Sequence, residues 1–256
     1  MSGLVVFVGA GPGSADLITL RGARWLARAD VVLADALADP ALRELAPRAR
    51  WVDVGKRGFG RAVAQARIDA MLVDEARRHA VVVRLKGGDP SVFGRLEEEL
   101  QALQRAGIAC EVVPGVTAAL AAAADLQRPL TRRGRGRSVA LTTAVTADGD
   151  LGAGRHADTE VFYMAGRQLG ALGRALRAAG WPAETPVAVV SRAGAPDHVA
   201  SSHRLDGLAQ AALLHAGRPA VVTVGVGAAA VAPAPRRAVP DRADMSDIGR
   251  TAITAP

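Results

Sequence analysis

An α/β fold with a mostly parallel sheet is what this chain predicts, and two observations carry the prediction. Short Val-rich apolar runs alternate through the first half with segments whose apolar residues recur at helical spacing. Glycine turns then follow two of those runs, Gly9-Ala10-Gly11-Pro12-Gly13 and Gly87-Gly88-Asp89-Pro90, where open α/β sheets place their ligands. With 256 residues and 50% hydrophobic content, the chain can bury one large or two medium domains.

Leu4-Val5-Val6-Phe7-Val8 is the first strand, and the turn after it leads into a helix for which Ser14 or Asp16 is the expected cap. Val31 to Ala34 reads as the second strand. Ile68, Met71, Leu72 and Ala76 share one helical face ahead of a strand at Val81 to Leu85. Leu96, Leu100 and Leu103 mark the next helix, and Glu111 to Val113 a short strand stopped by Pro114-Gly115. An alanine-rich helix, Thr117 to Asp125, opens the second half. Strands are expected there at Ser138 to Thr143, Glu160 to Met164, Val187 to Ser191 and Ala220 to Val224. Among them Leu169, Leu172 and Leu176 form a helix face that Gly180 closes, with Trp181-Pro182 beyond. Residues 144–158 read as a polar loop, and residues 233–256, without apolar periodicity, as a disordered tail.

Composition narrows the function. A single cysteine, Cys110, excludes a disulfide framework and, inside the run from Ile108 to Val113, reads as a core thiol. That usage fits a reducing cytoplasm. The first Lys or Arg is Arg21 and no apolar run reaches membrane-spanning length, so neither a targeting signal nor a membrane segment is expected. The net charge of +7 is either compositional or suited to an anionic partner. With 3% aromatic residues and no basic run interleaved with rings, a polycarboxylate explains it without nucleic acid. None of the five histidines pairs at metal-ligand spacing, and no Ser-His-Asp order is present, so no metal is expected.

Two motifs have double readings. Gly9-x-Gly11-x-Gly13, with Asp35 at the end of the second strand, has the spacing of a dinucleotide site, but Ser14 stands where that fingerprint wants glycine. Arg95 and Glu98, three apart on one helix, form either an exposed ion pair or a pair facing a cleft.

Five segments in this order resemble the tetrapyrrole methylase family: Gly9 to Gly13, Val54-Gly55-Lys56-Arg57, Val83 to Arg95, Val113-Pro114-Gly115-Val116-Thr117-Ala118-Ala119-Leu120, and Pro129-Leu130-Thr131-Arg132-Arg133-Gly134. The resemblance implies two α/β domains, residues 1–113 and 114–232, with the active site in the cleft between them. It implies S-adenosylmethionine as cofactor, S-adenosylhomocysteine as product, and cofactor positions at Pro12, Gly87, Gly88, Asp89, Val92, Thr117, Ala118, Met164, Ala193 and Ala220. By itself Met164 reads as a strand-end core residue.

Arg95 and Glu98 match the family's substrate-site pair and become the catalytic candidates, and Arg133 matches a substrate-binding arginine. The activity implied is methylation of uroporphyrinogen III at C-2 and C-7, giving precorrin-2, by a cytoplasmic homodimer. Another precorrin methyltransferase, an rRNA methyltransferase of the same superfamily, a non-catalytic tetrapyrrole-binding protein and an NAD- or FAD-dependent oxidoreductase are the alternatives. The chain also departs from the family pattern. Ala34 and Ala36 stand where many members have Tyr and Arg, Leu96-Glu97-Glu98-Glu99 replaces Gly-Gly-Glu-Glu, and Thr143-Ala144-Val145 replaces Thr-Gly-His.

Overall fold

A computed structural model describes residues 3–55, 65–145 and 151–231, so the expectations for Lys56, Arg57 and the 233–256 tail fall outside the described residues. The first half builds a five-stranded sheet from β1 (Leu4–Gly9), β2 (Val31–Ala34), β3 (Arg50–Asp53), β4 (Val81–Lys86) and β5 (Cys110–Val113) in the order β3-β2-β4-β1-β5. Every pairing is parallel. Alternate residues of each strand point to opposite faces. Val6 and Val8 pack with Leu26 of α1 (Leu20–Ala27), whereas Val5 and Phe7 pack with Leu72 of α2 (Gln65–Arg78) and Leu103 of α3 (Leu96–Arg105). Both faces are covered, which is why the central strands read as unbroken apolar runs.

The second half forms another five-stranded sheet, and this one is mixed, whereas the parallel sheet expected from the strand and helix alternation is that of the first half. Its strands are β6 (Val139–Thr143), β7 (Thr159–Tyr163), β8 (Pro186–Ser191), β9 (Val199–Arg204) and β10 (Ala220–Gly225), ordered β6-β7-β10-β8-β9. Only β6 and β7 run parallel; β10 is antiparallel to both β7 and β8, and β9 to β8. The short connection between β8 and β9 leaves no room for a crossover helix, so the two strands pair antiparallel. α4 (Ala118–Asp125) covers one face through Ala119 and Ala122 on Val161, Val190 and Val221. α5 (Leu169–Ala178) covers the other through Leu169, Leu172 and Leu176 on Phe162, Val189 and Val222.

Two strands escape the apolar pattern. β3 is an edge strand flanked by exposed Arg50 and Asp53, and β9 turns only Val199, Ser201 and His203 inward. Edge strands need few apolar residues because one flank faces solvent.

Local signals fared unevenly. Ser14 and Asp16 do not cap α1; the Thr19 hydroxyl does, accepting the Gly22 N–H at 3.1 Å after a separate short turn at Ala15–Leu17. Gly180 does close α5. It has φ of +92°, donates to Arg177 O, and lets Trp181 N–H reach Leu176 O, the paired bonds of a Schellman end. Cys110 is not a core thiol: it is exposed, because it begins β5 at the edge of its sheet.

Candidate active site between the two sheets

β1 and β4 are neighbours at the middle of the first sheet, and the chain leaves them in opposite directions, β1 toward β2 and β4 toward β5. A crevice opens at their C-terminal ends for that reason. The two glycine turns meet across it, Gly11 N–H on Gly88 O at 3.2 Å and Gly88 N–H on Gly11 O at 2.9 Å. A third segment closes in at Gly115, where a Cβ would lie 2.4 Å from Gly88 O, so only glycine fits. Gly13 extends the contact to the second sheet, its α-carbon so near Ala195 that a Cβ would lie 2.5 Å from the Ala195 nitrogen.

The resulting cavity, about 660 Å³, lies between the two sheets. All ten positions named from the resemblance as cofactor sites border it, from Pro12 through Ala220, and so does Arg95. Glu98 does not border it but grips Arg95 in a bidentate pair, Nε to Oε1 at 2.8 Å and Nη2 to Oε2 at 2.5 Å. This hydrogen bond holds the Glu98 carboxyl below the usual carboxylate range and raises Arg95 further. Arg133 stands apart, exposed on the loop between α4 and β6 and away from the cavity lining.

Met164 is no core residue. It follows β7 with φ of +59°, is 55% exposed, and borders the cavity. Of the five non-glycine residues in left-handed conformation among the described residues, Phe93, Arg95, Met164 and Arg192 all border it too. Such backbone is costly and persists where surroundings impose it, most often at functional sites. The fifth, Gln127, merely ends α4, with its N–H on Ala124 O and that of Arg128 on Ala123 O.

Asp35 and Tyr163 have structural duties at the cavity that the sequence reading did not foresee. The Asp35 carboxylate accepts Leu37 N–H and Gly87 N–H, both at 2.8 Å, which commits it to shaping the turn and takes it away from the ribose role of a dinucleotide site. Tyr163 hydroxyl lies 2.7 Å from Thr117 Oγ1 and accepts Ala119 N–H at 3.2 Å, while its ring meets Phe93 at 5.1 Å between centroids. Phe93 follows the first sheet and Tyr163 ends a strand of the second, so this pair walls the cavity from both sides. It was findable: Tyr163 is the one tyrosine of the chain, beside Met164.

Arg84 and Lys86 were overlooked as well, although two cations in an otherwise apolar strand always need partners. They meet at Glu99 of α3. Arg84 Nε donates to Glu99 Oε1 at 3.0 Å and Lys86 Nζ to Oε2 at 2.7 Å, all three side chains being buried. Among the described residues no group of three or more His, Cys, Asp or Glu could hold a metal ion, and no helix is long and apolar enough to cross a membrane.

Two α/β units closing on a glycine-walled cavity define this chain as a methyltransferase of the S-adenosylmethionine-dependent class. The chain belongs to the tetrapyrrole (corrin/porphyrin) methylases, the family matched by residues 4–209. It is similar to uroporphyrinogen-III C-methyltransferase of Pseudomonas aeruginosa, 45% identical over 75% of this chain and 80% of that one. It also resembles the siroheme synthase of Zymomonas mobilis, 42% identical over 87% of this chain but 48% of the relative, so it spans about half the length of that protein. Among solved structures, uroporphyrin-III C-methyl transferase from Thermus thermophilus complexed with S-adenyl homocysteine superposes with a TM-score of 0.76, at 37% identity over 87% of this chain and 97% of that one.

Proposed function

We propose that this chain methylates uroporphyrinogen III at C-2 and C-7 to give precorrin-2, with S-adenosylmethionine as methyl donor. The observation that carries the reading is the cavity in which glycine turns of the first sheet, the start of α4 and the end of β7 converge beside Arg95. These residues fit the cofactor. Backbone and small side chains make most of the wall, and Thr117 makes no capping bond with its own helix; with Ala119 N–H on the Tyr163 hydroxyl, the N-terminus of α4 favours a carboxylate at the Ala118 N–H.

When bound, S-adenosylmethionine supplies an electrophilic sulfonium methyl, and an electron-rich pyrrole carbon of the substrate is the nucleophile. The protein's first task is alignment, which can contribute roughly 7–11 kcal/mol to lowering such a barrier. In this reading Arg95 clamps a substrate carboxylate through the Nη1–Nη2 edge that the Glu98 pair leaves open, since guanidinium stays protonated and is a poor proton acceptor. Glu98 orients Arg95 and, kept ionised by it, receives through water the proton that the methylated ring gives up from its nitrogen or an adjacent bridging carbon, the methylated carbon itself having become quaternary. Phe93 and Tyr163 narrow the cavity and hold water away. Arg133, being remote within one chain, would contribute to a substrate site by lying against a second copy, consistent with a homodimer. We further place the protein in the cytoplasm, acting on a small molecule and without nucleic acid.

Incubation with S-adenosylmethionine and uroporphyrinogen III, followed by mass spectrometry, tests the proposal. A product two methyl groups heavier is expected; calorimetry should show S-adenosylhomocysteine binding and none for NAD or FAD. Failure to methylate this substrate, with methylation of a later corrin intermediate, would move the assignment within the family.

A further inference from the structure

We propose that Lys86, gripped by Glu99 beneath the cavity, binds one carboxylate of the tetrapyrrole and thereby helps select a polycarboxylate substrate. The inference rests on the function proposed above and deepens it. Two cations and one anion make up the buried cluster: Arg84, Lys86 and Glu99. Within this trio the excess is one positive charge; the nearby Asp35 carboxylate also acts on Lys86, but its hydrogen bonds go to the Leu37 and Gly87 N–H groups. Both cations border the cavity, so this excess lies where a ligand would sit.

The donors are not used up. Among the described residues, Lys86 Nζ has Glu99 Oε2 as its hydrogen-bond partner, while an ammonium carries three N–H groups. Arg84 spends Nε on Glu99 and Nη1 on the Leu33 and Leu85 carbonyls. Burial, together with the neighbouring Arg84 guanidinium, pulls the Lys86 ammonium below the ordinary lysine range against the pull of Glu99 and Asp35. Under-compensated positive charge of this kind is stabilised by an incoming anion, and desolvated charge pairs are the strong ones.

The substrate is a better match for this position than the cofactor's carboxylate. Lys86 lies on the Arg95 side of the cavity: a Cβ at Gly94, the residue before Arg95, would sit 3.1 Å from Lys86 Cε. The open end of α4, which suits the cofactor's carboxylate, belongs to the other segment, at Thr117 and Ala118. A lysine also adds what Arg95 lacks, a compact charge without a fork, so the two cations would take carboxylates of different geometry.

Lys86→Met and Lys86→Gln leave Arg84 and Glu99 paired as a neutral couple, so at least one of these variants should fold. Three quantities decide the proposal: KM and kcat with uroporphyrinogen III, Kd for S-adenosylhomocysteine, and Kd for the oxidised, unreactive uroporphyrin III by fluorescence quenching. The expected result is a rise of about 10-fold or more in KM and in the uroporphyrin Kd, as loss of one charged hydrogen bond implies, with cofactor affinity within about 2-fold and recovery in Lys86→Arg. Weakening of S-adenosylhomocysteine in step with uroporphyrin would assign the contact to the cofactor and overturn the proposal. Unchanged affinities in a folded variant would leave Lys86 a structural residue and overturn it too. If the wild-type chain binds uroporphyrin through Lys86 yet does not methylate uroporphyrinogen III, the anion site stands and the proposed reaction falls; if it binds no porphyrin, both fall.

Discussion

Asp89 Oδ2 accepts the backbone N–H of Gly115 at 2.9 Å, tying the turn that ends β4 to the segment that enters α4. Its other oxygen accepts Ser91 N–H at 2.8 Å, so one carboxylate shapes its own turn and anchors the opposite wall of the cavity. Replacing Asp89 by Ala should weaken S-adenosylhomocysteine binding by about 10-fold, as loss of charged hydrogen bonds implies. Asn, which keeps one acceptor oxygen, should fall between. Calorimetric titration of both variants checks the order, and an Ala variant that binds as tightly as wild type would remove Asp89 from the site's architecture.

Two glycines at the same cavity should respond differently to alanine. Gly88 has φ of +71° but nothing within 3.8 Å of where its Cβ would sit, so Gly88→Ala should cost about 1–2 kcal/mol of backbone strain alone. Gly115→Ala drives a methyl group to 2.4 Å from Gly88 O and must separate the two segments. Its loss in urea-unfolding stability should be clearly the larger, and cofactor binding should go with it. Equal losses would contradict the packing described here.

Arg95 acts on the substrate in the proposed mechanism. Arg95→Lys keeps the charge and removes the planar fork, so turnover should fall roughly 10-fold or more, the equivalent of about 1.4 kcal/mol. Affinity for S-adenosylhomocysteine should barely change. Steady-state rates and calorimetry on the same preparation separate the two roles, because a cofactor residue would lose both together.

His215 gives the second sheet a pH dependence. Buried between Ser191 Oγ at 2.9 Å from Nδ1 and Ser201 Oγ at 2.8 Å from Nε2, it is held below the ordinary histidine range by burial and by its neighbours His203 and Arg218. The unfolded chain therefore binds a proton more readily than the folded one. The stability this confers is present above the unfolded value near 6.5 and is lost as pH falls through the lower folded value. Thermal midpoints should drop between about pH 7.5 and 5.5, and His215→Gln, though less stable at neutral pH, should show a shallower slope. An identical slope in the variant would place the dependence elsewhere.

Much of this protein was legible in one dimension, because local physics dictated it. Strands buried on both faces leave unbroken apolar runs such as Val5 to Val8, and a helix end in left-handed backbone calls for glycine, as at Gly180. The glycine turns after β1 and β4, in fixed order with the Gly115 segment, were enough to suggest the family and the ten positions that border one cavity.

Tertiary structure alone decided what depended on distant partners. The antiparallel course of β8, β9 and β10 follows from which strands meet, and strand direction leaves no mark on apolar periodicity. Exposure of Met164 and Cys110 followed from their places at a strand end and at a sheet edge, where an apolar residue type does not reveal whether anything covers it. The join of Arg84 and Lys86 at Glu99 spans 13 to 15 residues of chain and needs α3 packed beside β4, and Asp35 meets Gly87 across 52. Sequence can announce that a buried charge needs a counter-charge; only the packing of one element on another selects which residue supplies it.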